Sequence, residues 1–178
     1  MISNHYLTES SAKFKSLYTI EDLRHNNARY ISIGKIQLNK TYGSSHTEFS
    51  ASGKYNQYLN FNIYFVYPFK SEGELKYWYG VKYHKQVSNR LNDFEKEKQF
   101  KSFYEFSTRS FESHSYTKHS YFEILPNSNK KEGFTNAINR ADVYTPEELI
   151  IIEPRKGEYS DDNSKSLKWI FGAFGIGF

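Results

Sequence analysis

Hydrophobic residues recur at period two along two stretches of this chain and at period 3.6 along a third. In "YLNFNIYFVYPF" (58–69), Leu59, Phe61, Ile63, Phe65 and Tyr67 alternate with Asn60, Asn62, Tyr64 and Val66, and Pro68 ends the run. In "ELKYWYGVKYHK" (74–85), Leu75, Tyr77, Tyr79, Val81 and Tyr83 alternate with Lys76, Trp78, Lys82 and His84. The intervening "PFKSEGE" has turn composition. The two runs predict a hairpin with one apolar and one mixed face, as in an antiparallel sheet covered on one side.

The helical pattern lies in residues 89–111, which lack Pro and Gly. Phe100, Phe103, Tyr104 and Phe111 share one side of a 3.6-residue helix, while Leu91, Phe94 and Phe106 fall elsewhere. That spread predicts burial on more than one side. Residues 1–18 read as a polar lead-in. "TIEDLRHN" carries a capping box from Thr19 to Asp22 and predicts a short helix.

"YISIGKIQL" is a strand whose phase changes at Gly34, the mark of a β-bulge. Residues 41–57, rich in Ser and Gly, read as a long connection. "SYFEIL", closed by Pro126, is a short strand, and "KKEGFTNAINRA" (130–141) a modest helix from about residue 131. "EELIIIEP", with three consecutive isoleucines, is a strand buried on both faces. The expected fold is α+β: an antiparallel sheet with one long and one or two short helices packed on one face. The domain spans 19–155, a polar linker 156–166, and an apolar tail 167–178.

Composition sharpens this picture in two places. A chain of 178 residues fits one domain and buries roughly 70% of its unfolded surface. With no Cys and 19% aromatics, its core is expected to be aromatic and free of disulfides. The net charge of +4 comes from 24 basic and 20 acidic residues. Lys70, Lys76, Lys82 and Lys85 are dispersed among acids and aromatics, so the basic stripe that nucleic acid requires is missing and no nucleic-acid partner is expected. The opening "MISNHYLTESSAKFKSLY" lacks the apolar region of a secretory signal.

Three readings compete for "SLKWIFGAFGIGF" (166–178). As soluble core, it is a last strand or helix, and its length falls short of the roughly 20 residues that cross a bilayer. As the end of a small outer-membrane β-barrel, it alternates Phe174, Ile176 and Phe178 with glycines, but the charged helical stretch in mid-chain opposes that. As the start of a transmembrane helix, it places Lys168 and Trp169 at the interface and tolerates Gly172, Gly175 and Gly177. The third reading makes Trp169, Phe171, Phe174 and Phe178 a membrane anchor, on a side that is not determined.

A module ending in "EELIIIEPR", a linker and "KWIFGAFGIGF" resembles the membrane-flanked soluble domains of bacterial multi-pass proteins, some of them fused to rhomboid-type proteases. The resemblance implies membrane association, with a protein partner or the rest of its own membrane protein as the contact. It carries no rhomboid active-site segment, so no proteolysis is implied.

Catalytic constellations are not legible. His114 and His119, five residues apart, share no helical or strand face and read as surface histidines. His84 reads as a half-exposed strand residue. His46 and Glu48 in "SSHTE" look like a chance cluster in a loop, since real triads assemble from distant segments. Glu147, Glu148, Asp161 and Asp162 fit no calcium loop, and "EKEKQFK" reads as an exposed charged helix face. The expectation is no catalytic, cofactor or metal residues.

What exceeds the ordinary is the aromatic surplus around the hairpin. Tyr64, Trp78, Tyr55 and Tyr58 are the candidate interaction surface, against the alternative of a ring-rich core with hydroxyls at its rim. The leading expectation is a non-enzymatic sensing or protein-interaction domain of a membrane-associated protein. The alternatives are a soluble hydrolase or ligand-binding protein, with a deep pocket of groups of shifted pKa, and the barrel.

Overall fold

The computed structural model describes residues 14–25, 28–71, 73–115 and 119–155. Its strands are β1 (Phe14–Leu17), β2 (Tyr30–Ile33), β3 (Ser44–Ser52), β4 (Tyr58–Pro68), β5 (Tyr77–Ser88), β6 (Tyr121–Ile124) and β7 (Ile150–Arg155). Its α-helices are α1 (Asp93–Glu112) and α2 (Asn129–Ile138). The strands form one open seven-stranded sheet in the order β1-β2-β6-β7-β5-β4-β3. The fold is α+β, but the sheet is mixed. β1 runs parallel to β2 and β5 parallel to β7, and the remaining pairs are antiparallel.

The expected hairpin is the centrepiece, with β4 and β5 paired from Tyr58↔Ser88 to Pro68↔Trp78. β7 sits between β5 and β6, which explains why its isoleucines need no alternation. Its parallel ladder with β5 stops at Tyr79↔Ile152, ahead of Pro154, which has no N–H to donate.

Three connections differ from expectation. Residues 44–52 form β3, a full partner of β4, although their Ser-rich sequence suggests a loop. An edge strand half open to water tolerates such residues, and the turn that closes it uses the left-handed backbone of Gly53 and Asn56. The polar lead-in ends in β1 at the opposite edge. β2 ends at Ile33 instead of bulging through Gly34. The capping expectation at Asp22 is met in a 3-10 turn, Ile20–His25, where its carboxylate accepts hydrogen bonds from the Tyr18 and Thr19 amides at 3.0 and 2.9 Å.

The helices contact opposite faces of the sheet, not one. α1 starts from a capping box between Asn92 and Glu95. Its Phe111 stacks on Phe65 and Tyr67, with centroids 4.9 and 4.6 Å apart. α2 lies against the residues between them: Tyr64, Val66, Trp78, Phe134 and Ile138 share one cluster. Two glycines permit that contact. A Cβ on Gly133 would sit 2.4 Å from the Tyr64 ring, and one on Gly80 would sit 2.8 Å from Phe134. Burial on several sides of α1 does not occur, since Phe94 and Phe106 are 76% and 61% exposed. Among the described residues, no helix is long and apolar enough to cross a membrane. The anchor residues Trp169, Phe171, Phe174 and Phe178, and the linker before them, lie outside the described residues.

Candidate functional site

The hairpin's second face divides at Tyr64. Toward Pro68 it is covered by α2; toward Tyr58 it is polar and, Asn62 apart, half-buried or exposed. Because side chains alternate along strands, the register aligns His46–Tyr64–Lys82 in one row across β3, β4 and β5. The next rows are Glu48–Asn62–His84, Ser50–Asn60–Gln86 and Ser52–Tyr58–Ser88.

The rows are tied by side-chain hydrogen bonds. The Tyr64 hydroxyl donates to Glu48 Oε2 at 3.0 Å. Gln86 Nε2 donates to Asn60 Oδ1 at 2.9 Å, and Asn60 Nδ2 donates to Ser52 Oγ at 2.9 Å. His84 Nε2 meets Asn60 Oδ1 at 3.3 Å. Asn62, at the centre, breaks this pattern. It is only 7% exposed, and its Oδ1 has no hydrogen-bond partner. A buried unpartnered polar atom costs about 1–3 kcal/mol.

Lys82 is the second exception. Its Nζ lies 5.0 Å above the Tyr64 ring and makes no salt bridge among the described residues. Burial pulls its pKa below the usual lysine range; Glu48 and Glu153 oppose that, and Lys130 adds to it. Burial and the hydrogen bond to Glu48 push the Tyr64 hydroxyl well above the tyrosine range. His46 Nδ1 is also buried without a partner, and burial followed by the Arg140 charge lowers the pKa of its ring.

Beyond Lys82 the same face carries a ladder of charges. Glu123 and Glu153 sit side by side across β6 and β7, both buried. Arg29 and Arg155 bind the two oxygens of Glu123, while Lys130, from the first turn of α2, binds Glu153. Burial works against the Arg155 charge, but its hydrogen bond to Glu123 and the charges around it more than offset this and hold it above its usual range. Glu48 accepts its hydrogen bond from Tyr64, and neither it nor Glu153 forms a salt bridge with Lys82 among the described residues.

Of the expected interaction surface, Tyr64 and Trp78 are buried. The helix that covers them cannot be inferred from hairpin periodicity, and Trp78 donates its indole N–H to the Leu75 carbonyl. Tyr58, 42% exposed, stands at the outer end of the polar rows, and Tyr55, 79% exposed, lies in the β3–β4 turn. His46 and Glu48, read as a chance loop cluster, share one face of β3. His114 and His119 also meet, contrary to expectation: their Nε2 atoms are 2.6 Å apart, with centroids 4.8 Å apart and planes within 15°. That head-to-head geometry suits one N–H donating to the other ring's lone pair.

No group of three or more metal-ligating side chains occurs among the described residues. A groove of about 380 Å³ is lined by Thr19, Glu21, Lys35 and Phe69, and one of about 240 Å³ by Tyr67, Tyr104 and Phe111. Neither includes the residues of the polar rows.

Fold and site define the class: an α+β domain with a mixed sheet, a closed aromatic face, and a second face half covered and half polar. Comparison of the chain with protein-family models, with curated proteins and with solved structures finds no match.

Proposed function

We propose that this domain is a non-enzymatic recognition module of a membrane-associated protein, and that its ligand surface is the polar end of the β4–β5 hairpin. The observation that carries the reading is Asn62, whose amide oxygen is buried without a partner at the centre of an ordered polar grid. A strand position on a sheet face gains stability from an apolar residue. Keeping an amide there costs stability and is understandable where a ligand completes the hydrogen bond. Side chains fixed by their neighbours also lose little freedom on binding.

Attachment rests on the tail sequence, with Lys168 and Trp169 as interface residues before an apolar run. The contact is an external partner molecule or another part of the same membrane protein. The test of recognition is a titration of the full chain with acidic and neutral oligosaccharides and with acidic and basic peptides, followed by amide chemical shifts. Shifts clustered at Glu48, Asn60, Asn62, Lys82 and His84 are expected; shifts confined to the two grooves, or none, would overturn the reading. Membrane partition of the full chain against a chain ending at Ser164 tests the attachment, and equal partition would remove it.

A further inference from the structure

We infer that the polar end of the hairpin takes an acidic polysaccharide, a chain of sugar rings bearing carboxylates, with one carboxylate on Lys82 and neighbouring hydroxyls on Asn62 and Asn60. This rests on the recognition reading and names its ligand class.

Two unmet needs lie in adjacent rows. Lys82 has only an aromatic ring beneath it and no salt bridge among the described residues, so it favours an anionic oxygen. Asn62 Oδ1, one row away, is buried and lacks a donor. A ligand that satisfies both carries an anionic acceptor and a hydroxyl a few ångströms apart, as a uronic acid ring does. The surrounding acids are near enough to support the Lys82 charge, but none forms a salt bridge with it among the described residues. Glu48 is engaged by the Tyr64 hydroxyl, Glu153 by Lys130, and Glu123 by two arginines.

The next rows match a carbohydrate better than a peptide. Asn60, Gln86, His84 and Ser52 present amide, imidazole and hydroxyl groups already oriented by bonds to each other. Such groups both donate and accept, as vicinal hydroxyls do. They lie on the sheet face, so an extended peptide cannot pair its backbone with them as it would with an edge strand. Tyr58 closes the rows with a half-open ring on the same face, a platform for the apolar side of a sugar. From Tyr64 to Tyr58 the surface runs roughly 20 Å at ~3.3 Å per residue, room for several rings. Its open shape suits a polymer lying across it.

The experiment uses the full chain and three probes: tetragalacturonate, its fully methyl-esterified counterpart, and polyglutamate. Tetragalacturonate is expected to shift the amides of Asn60, Asn62, Lys82 and His84. Esterification and Lys82→Gln should each weaken binding at least about tenfold, the loss of one charge-assisted hydrogen bond, and Asn62→Leu about threefold or more, the loss of a neutral one. The amide spectra of the free variants verify that they remain folded. Equal affinity for acid and ester, or for polyglutamate, would overturn the inference. Shifts of these amides by the ester or polyglutamate but not the acid would remove the ligand class and leave recognition standing. If none of the probes in either titration moves them, both fall.

Discussion

The two faces of one hairpin follow different rules. On the α1 side, Phe61, Ile63, Phe65 and Tyr67 are all buried, and Phe111 stacks between β4 and the helix. On the other side the same strand changes character at Tyr64: Val66 lies in an apolar cluster with α2, while Asn62 and Asn60 face polar neighbours. The backbone and pairing register are continuous through that point. What differs is only which side chains the strand presents and where a ten-residue helix stops. One face is organised for stability, and half of the other is the surface proposed for contact.

The largest break of this comparison is Phe111→Ala. It removes a ring that touches Phe65, Tyr67 and Tyr79, and truncating a core Phe costs about 3–5 kcal/mol. A urea midpoint should fall accordingly, and a loss under about 1 kcal/mol would mean that α1 is not anchored there. Next is Gly80→Val. Its Cβ would meet Phe134 at 2.8 Å, and such overpacking costs about 1–3 kcal/mol. Hydrogen exchange should quicken in α2 and not in α1; equal change in both would dissolve the distinction between the faces.

Glu123→Gln removes the charge shared by Arg29 and Arg155. Both arginines are partly exposed, so solvent screening keeps the loss to about 1–2 kcal/mol, readable in the thermal midpoint. An unchanged midpoint would show that the ladder contributes no stability.

His46 gives a pH signature. Its folded pKa lies below 6.5 because burial and then Arg140 disfavour the charged ring. The unfolded chain therefore binds the proton first. The neutral ring's contribution is full above pH 6.5 and lost as pH falls through the depressed folded value. His46→Gln should flatten that part of the stability–pH curve, and an unchanged slope would contradict the assigned cause.

The α1 face was legible because its signal is local. Alternation in β4 and β5 and the Phe spacing of α1 identify the residues that meet, although Phe94 and Phe106 show that aromatic identity does not by itself imply burial. The polar face was not. Its rows join residues as distant as His46 and Lys82, and its charges come from Arg29 just before β2 and from β6, β7 and α2. Nothing in "SSHTE" distinguishes an edge strand from a loop until β4 is beside it. Tyr64 and Trp78 were candidates for contact because both hairpin faces carry aromatics and Tyr and Trp are enriched at interfaces; the small Gly133 and Gly80 let α2 cover them. The two alternate asparagines in "LNFNIYF", Asn60 and Asn62 on one face, were the available clue, since Asn is disfavoured in strands.

Asn62 offers the most direct test, since it needs no ligand. If this amide is kept for recognition, its replacement by an apolar residue of similar shape removes an unsatisfied buried atom. Asn62→Leu should then raise stability by about 1 kcal/mol, or roughly 2–4 °C in Tm. A fall of comparable size would show that the amide is part of the framework, and the claim that this end of the hairpin is built for contact would fail.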